Sequence, residues 1–200
     1  MIIGLTGQSG AGKSTVSRAL SLQEGFYVID CDRIARQVTE DGSLCNAEIK
    51  KHFPEAVSQK LVLDRRIMAQ IVFSDNAKLR EYEAVIYPYI TSEVNERISV
   101  LCSYGYEVII LDAPTLFEAG MDRICDKIIS VTADKAKRAE RIKQRDGISD
   151  EMIEKRFSSQ KDEAFFRQNC DYILCNDSDI AELYRQTESM IKEIRTIING

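Results

Sequence analysis

A chain of 200 residues with 44% hydrophobic and 30% charged residues has the size and make-up of one globular domain that builds its own core. Its net charge of −5 argues against a general nucleic-acid binder, whose phosphate contacts need a basic surface. No stretch approaches the roughly 18 apolar residues of a membrane span, and MIIGLTG runs into a glycine motif without a charged leader, so neither a membrane segment nor a signal peptide is expected and the cytoplasm is the expected compartment.

In chain order, residues 2–6 (IIGLT) read as a buried strand and Lys13 to Leu22 as a helix. Tyr27–Ile29 is a second apolar run, closed by Asp30-Cys31-Asp32. Helical patterning dominates from about Arg33 to Ser103, with Asp64 able to cap a helix whose Ile67, Met68, Ile71 and Val72 share a face. Pro88 should kink or divide the long helical stretch around it. Glu107–Leu111 and Ile128–Val131 are the third and fourth strands. Asp134 to Asp146 reads as a helix with a basic face, Gly147 breaks it, and Ser149 caps the next, with Asp150 and Glu151 in its first turn. Tyr172–Cys175 is a last strand before an amphipathic helix with Ile180, Leu183, Tyr184, Thr187, Ile191 and Ile194 on one side. Buried strands alternating with helices predict a three-layer α/β fold around a parallel sheet, with stretch 33–103 inserted as a helical region able to shape a substrate pocket.

The strongest local signal is Gly7-Gln8-Ser9-Gly10-Ala11-Gly12-Lys13-Ser14, which matches G-x-x-x-x-G-K-[ST] between a predicted strand and a predicted helix. Glycines permit a turn whose N–H groups converge on phosphate oxygens, and the helix adds its positive end. Lys13 can reach the terminal phosphates and Ser14 can bind Mg²⁺. ATP contacts are therefore expected along Ser9, Gly10, Ala11, Gly12, Lys13, Ser14 and Thr15. Chance would produce such a match on the order of once per hundred chains of this length. A Rossmann loop is disfavoured although Asp30 lies about 20 residues on, because the glycine spacing is wrong. A guanine-nucleotide switch is disfavoured by the lack of an N-K-x-D run.

Ligands of open α/β sheets bind beyond the carboxyl ends of the strands, where Asp30, Asp32 and Asp112 fall. Either Asp30 or Asp32 could accept a proton from an attacking hydroxyl, and either could instead cap the following helix. Val108–Asp112 resembles a Walker-B strand, whose aspartate holds Mg²⁺, usually through water. Glu118 could sit near the phosphates or start a helix. Arg138, Arg141 and Arg145 share one helical face, and Arg156 lies on the next helix; Arg141 and Arg145 are expected to contact phosphate from a mobile segment, Lys135 and Lys137 to be solvated. The six cysteines lack C-x-x-C spacing and read as reduced, mostly packed thiols. The single histidine, His52, reads as a surface residue near a helix end.

These features in this order resemble the dephospho-coenzyme A kinase family, on IGLTGQSGAGKSTV (3–16), VIDCDRIARQV (28–38), LDRRIMAQIVF (63–73), IYPYI (86–90), DAPTLFE (112–118), RIKQRD (141–146), the region of Gln160 and DYILCN (171–176). The resemblance implies a P-loop kinase fold with a core (about 1–32, 104–134 and 171–200), a helical acceptor-binding region (about 33–103) and a lid (about 135–165). It implies transfer of the ATP γ-phosphate to the ribose 3′-hydroxyl of dephospho-CoA with Mg²⁺; another P-loop nucleotide or small-metabolite kinase is the alternative. It further implies Asp32 as base, Lys13 and Arg141 as catalytic groups, Arg145 and Asn176 at ATP, and Arg36, Tyr87, Leu116 and Glu118 with Asp32 at the acceptor. The chain departs from the family pattern at Tyr87, Thr115 and Arg138, where His, Leu and Gln are usual; Tyr87 weakens the case for a polar acceptor contact there.

Overall fold

The structure is a computed structural model that describes residues 1–200. Five strands form one sheet in the order β2-β3-β1-β4-β5: β1 Ile2–Gly7, β2 Phe26–Asp30, β3 Val108–Asp112, β4 Lys127–Thr132 and β5 Tyr172–Cys175. The β1–β3, β1–β4 and β4–β5 pairings are parallel. The chain leaves β1 toward one edge and later returns to add β4 on its other side, so β1 ends at the topological switch point where α/β sheets bind ligands.

Strand alternation sorts the side chains of β1. Ile3 and Leu5 pack with Val16 and Leu20 of α1 (Lys13–Ser21) and with Leu183, Met190, Ile191 and Ile194 of α9 (Ile180–Asn199). Gly4 points the other way, where a Cβ would stand 2.5 Å from Cδ2 of the fully buried Leu116; the missing side chain lets the 113–120 turn lie against the sheet. In α9, Ile180 and Tyr184 are 59% and 41% exposed, contrary to the expected stripe. The other four expected positions, Leu183, Thr187, Ile191 and Ile194, are buried, and Met190 joins them, so the stripe keeps its 3.6-residue period but starts later in the helix.

The chain divides into two compact units, Met1–Ile29 with Leu101–Gly200, and Asp30–Val100. The first unit also holds α6 (Lys135–Asp146), α7 (Asp150–Ser158) and α8 (Glu163–Asn169). The second comprises α2 (Cys31–Val38), α3 (Leu44–His52), a 3₁₀ turn at Pro54–Ala56, α4 (Arg65–Ser74) and most of α5 (Asn76–Ser103). Its hub is the buried Asn46, whose Nδ2 donates to the carbonyls of Glu40 and Leu61 at 3.0 and 2.9 Å. Asp64 caps α4 as expected, accepting from Arg66 and Ile67 N–H. His52 ends α3 at the surface, 3.1 Å from Glu81 on α5.

Pro88 does not divide α5, which runs unbroken over 28 residues. Proline removes one donor, whereas the buried residues Ile86, Ile90, Val94, Ile98 and Leu101 lie on either side of it along the continuous helix. The cysteines form no disulfide, and only Cys102 is exposed. Burial pushes the Cys45 thiol up to about 11 and those of Cys125 and Cys170 up to about 12, which keeps them protonated.

Candidate active site

The loop between β1 and α1 is built as an anion cradle. Gly12 is the N-cap of α1 with φ 106° and ψ 19°, and it offers no side chain to the first helical N–H groups. A Cβ there would stand 2.4 Å from Nδ2 of Asn176, so glycine is required by both backbone and space. The first turn of α1 carries no acidic residue. Thr15 N–H is taken by Gly12 O at 3.0 Å, and the positive end of the helix, with no side chain capping it, is left to an external anion.

The rest of the loop is tied down from several directions. Gln8 N–H donates to Val131 O at 3.3 Å and Ala11 N–H to Gln8 O at 3.0 Å. The buried Asn176, just past β5, donates from Nδ2 to Ala11 O at 2.7 Å. Arg141 on α6 donates to Gly10 O at 3.3 Å and to Asn176 O at 3.1 Å. Ser9 N–H donates to Oε1 of Gln160, beyond α7, at 3.1 Å. Loop conformation is therefore fixed by the protein's own polar groups.

Lys13, at the start of α1, forms an ion pair with Asp112, the last residue of β3. Both side chains are largely buried, at 19% and 14% exposure, so the pair is sheltered from screening. Asp112 lies in register with Leu5, two residues before the loop opens. Ser14, the second residue of α1, is exposed beside them. A cation, a carboxylate and a hydroxyl thus gather where the loop presents its N–H groups.

Other expected site residues take different places. Asp30 caps α2, accepting from Arg33 N–H at 2.9 Å. Asp32 is exposed in the first turn of α2. Arg36 is exposed near the end of α2, and its carbonyl accepts from Arg65 at 3.3 Å. The Tyr87 hydroxyl donates to Glu83 at 2.9 Å, one turn earlier on α5. Leu116 is fully buried against the sheet, so its side chain serves the core and offers an acceptor no surface. Glu118 is exposed within a run of turns and starts no helix.

The arginines of α6 and α7 separate into three kinds. Arg138 is buried; its Nε donates to Ala133 O at 3.0 Å and its guanidinium lies 4.4 Å from the Phe157 ring centre. Burial lowers its pKa without neutralising so strong a base. Arg141 holds the loop, as described. Arg145 makes a fork to Asp146 at 2.7 and 2.9 Å, and Arg156 reaches the same carboxylate at 2.6 Å. Hydrogen bonds from these two guanidinium groups hold the Asp146 carboxyl well below the usual range. Lys135 pairs with Glu154, and Lys137 with the Asp177 carbonyl, both at the surface.

With this geometry in place, known proteins give the comparison. The family model for dephospho-CoA kinase (CoaE) matches residues 1–182. This chain belongs to the dephospho-CoA kinase family. Dephospho-CoA kinase CAB5 of Saccharomyces cerevisiae is 34% identical over 98% of this chain and 83% of its own length. A dephospho-CoA kinase of Fusobacterium nucleatum is 34% identical over 97% of this chain and 98% of its own. The crystal structure of TT1252 from Thermus thermophilus superposes with a TM-score of 0.81 at 34% identity, covering 96% of this chain and 97% of that one. The fold is that of the P-loop kinases, as the sequence leads one to expect.

Within that family frame, two contacts to the loop had no local signature: Gln160 to Ser9 and Asn176 to Ala11 span 151 and 165 residues. The sequence marks both positions through family resemblance, but no spacing rule announces what they touch.

Proposed function

We propose that this chain transfers the γ-phosphoryl group of ATP to the ribose 3′-hydroxyl of dephospho-CoA, giving CoA and ADP. The observation that carries the reading is the uncapped start of α1, with Lys13 and Asp112 beside it, in a chain matched along residues 1–182 by the family. The loop N–H groups and Lys13 bind the triphosphate and favour the charge that builds on the transferring group. Asp32 accepts the proton of the 3′-hydroxyl as its oxygen attacks the γ-phosphorus. A new oxygen–phosphorus bond forms, the bond to the bridging oxygen breaks, and ADP carries away the electron pair. Arg141 steadies the loop during transfer, and Arg145 turns its fork from Asp146 to phosphate oxygens.

The donors near the loop suit Mg²⁺. Ser14 and Asp112 supply oxygen only, and no cluster of three or more His, Cys, Asp or Glu side chains forms a protein cage. A small set of oxygen donors is what a hydrated Mg²⁺ shared with substrate phosphates requires. Ser14 and Asp112 would hold the ion, which when bound neutralises charge on the phosphate oxygens.

The test is direct. Purified protein with Mg-ATP and dephospho-CoA should yield CoA and ADP in equal amounts. No CoA, in an assay where an authentic dephospho-CoA kinase works, sinks the proposal. Phosphorylation of another alcohol or nucleotide from an acceptor panel would then place the chain with other small-metabolite kinases.

A further inference from the structure

The segment joining α7 to α8 meets the phosphate loop through two glutamines that reach across in opposite directions. From the segment, Gln160 offers Oε1 to the Ser9 N–H at 3.1 Å. From the loop, Gln8 offers Nε2 to the Lys161 carbonyl at 3.5 Å. Consecutive residues on each side are thereby joined, 8 and 9 to 160 and 161. The segment is itself well anchored. Gln160 N–H donates back to Phe157 O at 3.2 Å, and Asp162 caps α8 by accepting from Phe165 N–H at 2.8 Å. Lys161 lies 4.9 Å from the Phe165 ring centre, and that ring packs edge-on against Phe117, 4.9 Å away, in the turn that follows β3.

Two features set this clasp apart from ordinary loop packing. First, Gln160 takes the N–H of Ser9, so that donor is directed to the protein, while the uncapped start of α1 remains open to an anion. Second, Gln8 is buried, at 8% exposure, yet its Oε1 has no hydrogen-bond partner. A buried amide with one long bond and one orphan oxygen adds little to stability, because leaving a polar atom unsatisfied offsets what the bond contributes. An isosteric apolar side chain would fill the space at no loss of stability. The Gln8 half of the clasp is therefore poorly explained as reinforcement of the fold, and well explained as a device that sets the shape of the loop.

We infer that Gln8 and Gln160 are positioning residues for ATP: they hold the phosphate loop in its nucleotide-binding shape and couple it to the α7–α8 segment. Neither needs to touch the reacting atoms. This rests on the ATP-dependent reading above, but not on the identity of the acceptor, so the first measurement is nucleotide binding alone. Gln8→Met, Gln160→Met and the double variant are compared with the parent by titration with ATP and by melting without nucleotide. Each single variant should raise the Kd for ATP about tenfold, the scale of one hydrogen bond lost. The double variant should be little weaker than either single one, because breaking one half already frees the loop. The Tm without nucleotide should hold or rise for Gln8→Met. In turnover, the KM for ATP should rise while that for dephospho-CoA stays put.

Unchanged ATP affinity in both single variants overturns the inference. So does a Tm for Gln8→Met that falls in step with its affinity, which would mark plain structural packing, and so does strict additivity, which would mark two unrelated contacts. If the parent binds ATP but phosphorylates no dephospho-CoA, the acceptor assignment fails and the clasp is still judged on the binding data.

Discussion

Arg141 and Arg145 stand one turn apart on the same face of α6, yet they are held in opposite ways. Arg141 donates to two backbone carbonyls, Gly10 O and Asn176 O, and is partly buried. Arg145 is 62% exposed and donates to a carboxylate, Asp146, which also serves Arg156. A guanidinium bonded to main-chain oxygens of a packed loop can leave only by disturbing that loop. One bonded to a surface carboxylate can exchange it for another oxyanion at little cost, since solvent-screened ion pairs are individually weak. Under the proposed function, the contrast separates a rigid cradle, assembled from Gly12, Asn176 and Arg141, from the outer charges of α6 and α7, which would act as a lid. Rigid where donors must be pre-aimed and adjustable where substrate must enter is the division a phosphotransferase needs.

The largest expected effects fall outside both arginines and test whether chemistry depends on the cradle alone. Asp32→Asn should lower kcat by about 10²–10⁴-fold, the usual scale of a lost general base, with ATP affinity kept. Near-normal turnover would remove Asp32 from the mechanism, and Asp30 would be a poor replacement because its carboxylate caps α2. Lys13→Ala should lower kcat by roughly 10²–10³-fold, as for other aimed electrostatic donors. It should also strand Asp112 without its cation. Retained activity in this variant would undo the loop assignment.

Sharper for the comparison itself is the arginine pair. Arg141→Ala should both weaken ATP binding and lower stability by about 1–3 kcal/mol, because two carbonyls lose a charged donor. Arg145→Ala should raise the KM for ATP or lower kcat about tenfold, the effect of one phosphate contact, with Tm almost unmoved. If the two variants show the same ratio of kinetic to thermal loss, the division into cradle and lid is wrong.

How far the sequence foretold this arrangement depends on the range of the interaction concerned. The P-loop, the strand ends and the cap at Asp64 are written in runs of a few residues, and each appears where local chemistry puts it. Asp30 shows the limit of that reasoning: a carboxylate before a helix can cap or react, and only geometry shows that it caps. Pro88 shows another, since local backbone preference expects a kink or a break, and the break is absent where a five-residue buried stripe straddles the proline. Leu116 sits in a run shared with the family, but its burial against Gly4 depends on a partner over a hundred positions away. The ties from Asn176 and Gln160 to the loop belong to the same class. Long-range contacts leave no periodic trace, so the ties that hold the loop were less legible than the loop itself.

The smallest expected effect concerns the carboxylate that holds Arg145. Asp146 has a folded pKa lowered by its hydrogen bonds to Arg145 and Arg156. A lowered folded value means that the pairing adds stability above the ordinary aspartate range, where the carboxylate is charged in both folded and unfolded chains. That contribution drains away as acid protonates the unfolded chain first and then, at lower pH, the folded one. Asp146→Asn should therefore lower Tm slightly at neutral pH, and the gap to the parent should begin to close below about pH 4. High salt should shrink the gap as well, because the ion pairs lie at the surface. A gap that stays constant into acid, or that resists salt, would mean Asp146 supports the lid by packing rather than by charge. Arg145 would then be fixed in place like Arg141, and the distinction between the two arginines would lose its physical basis.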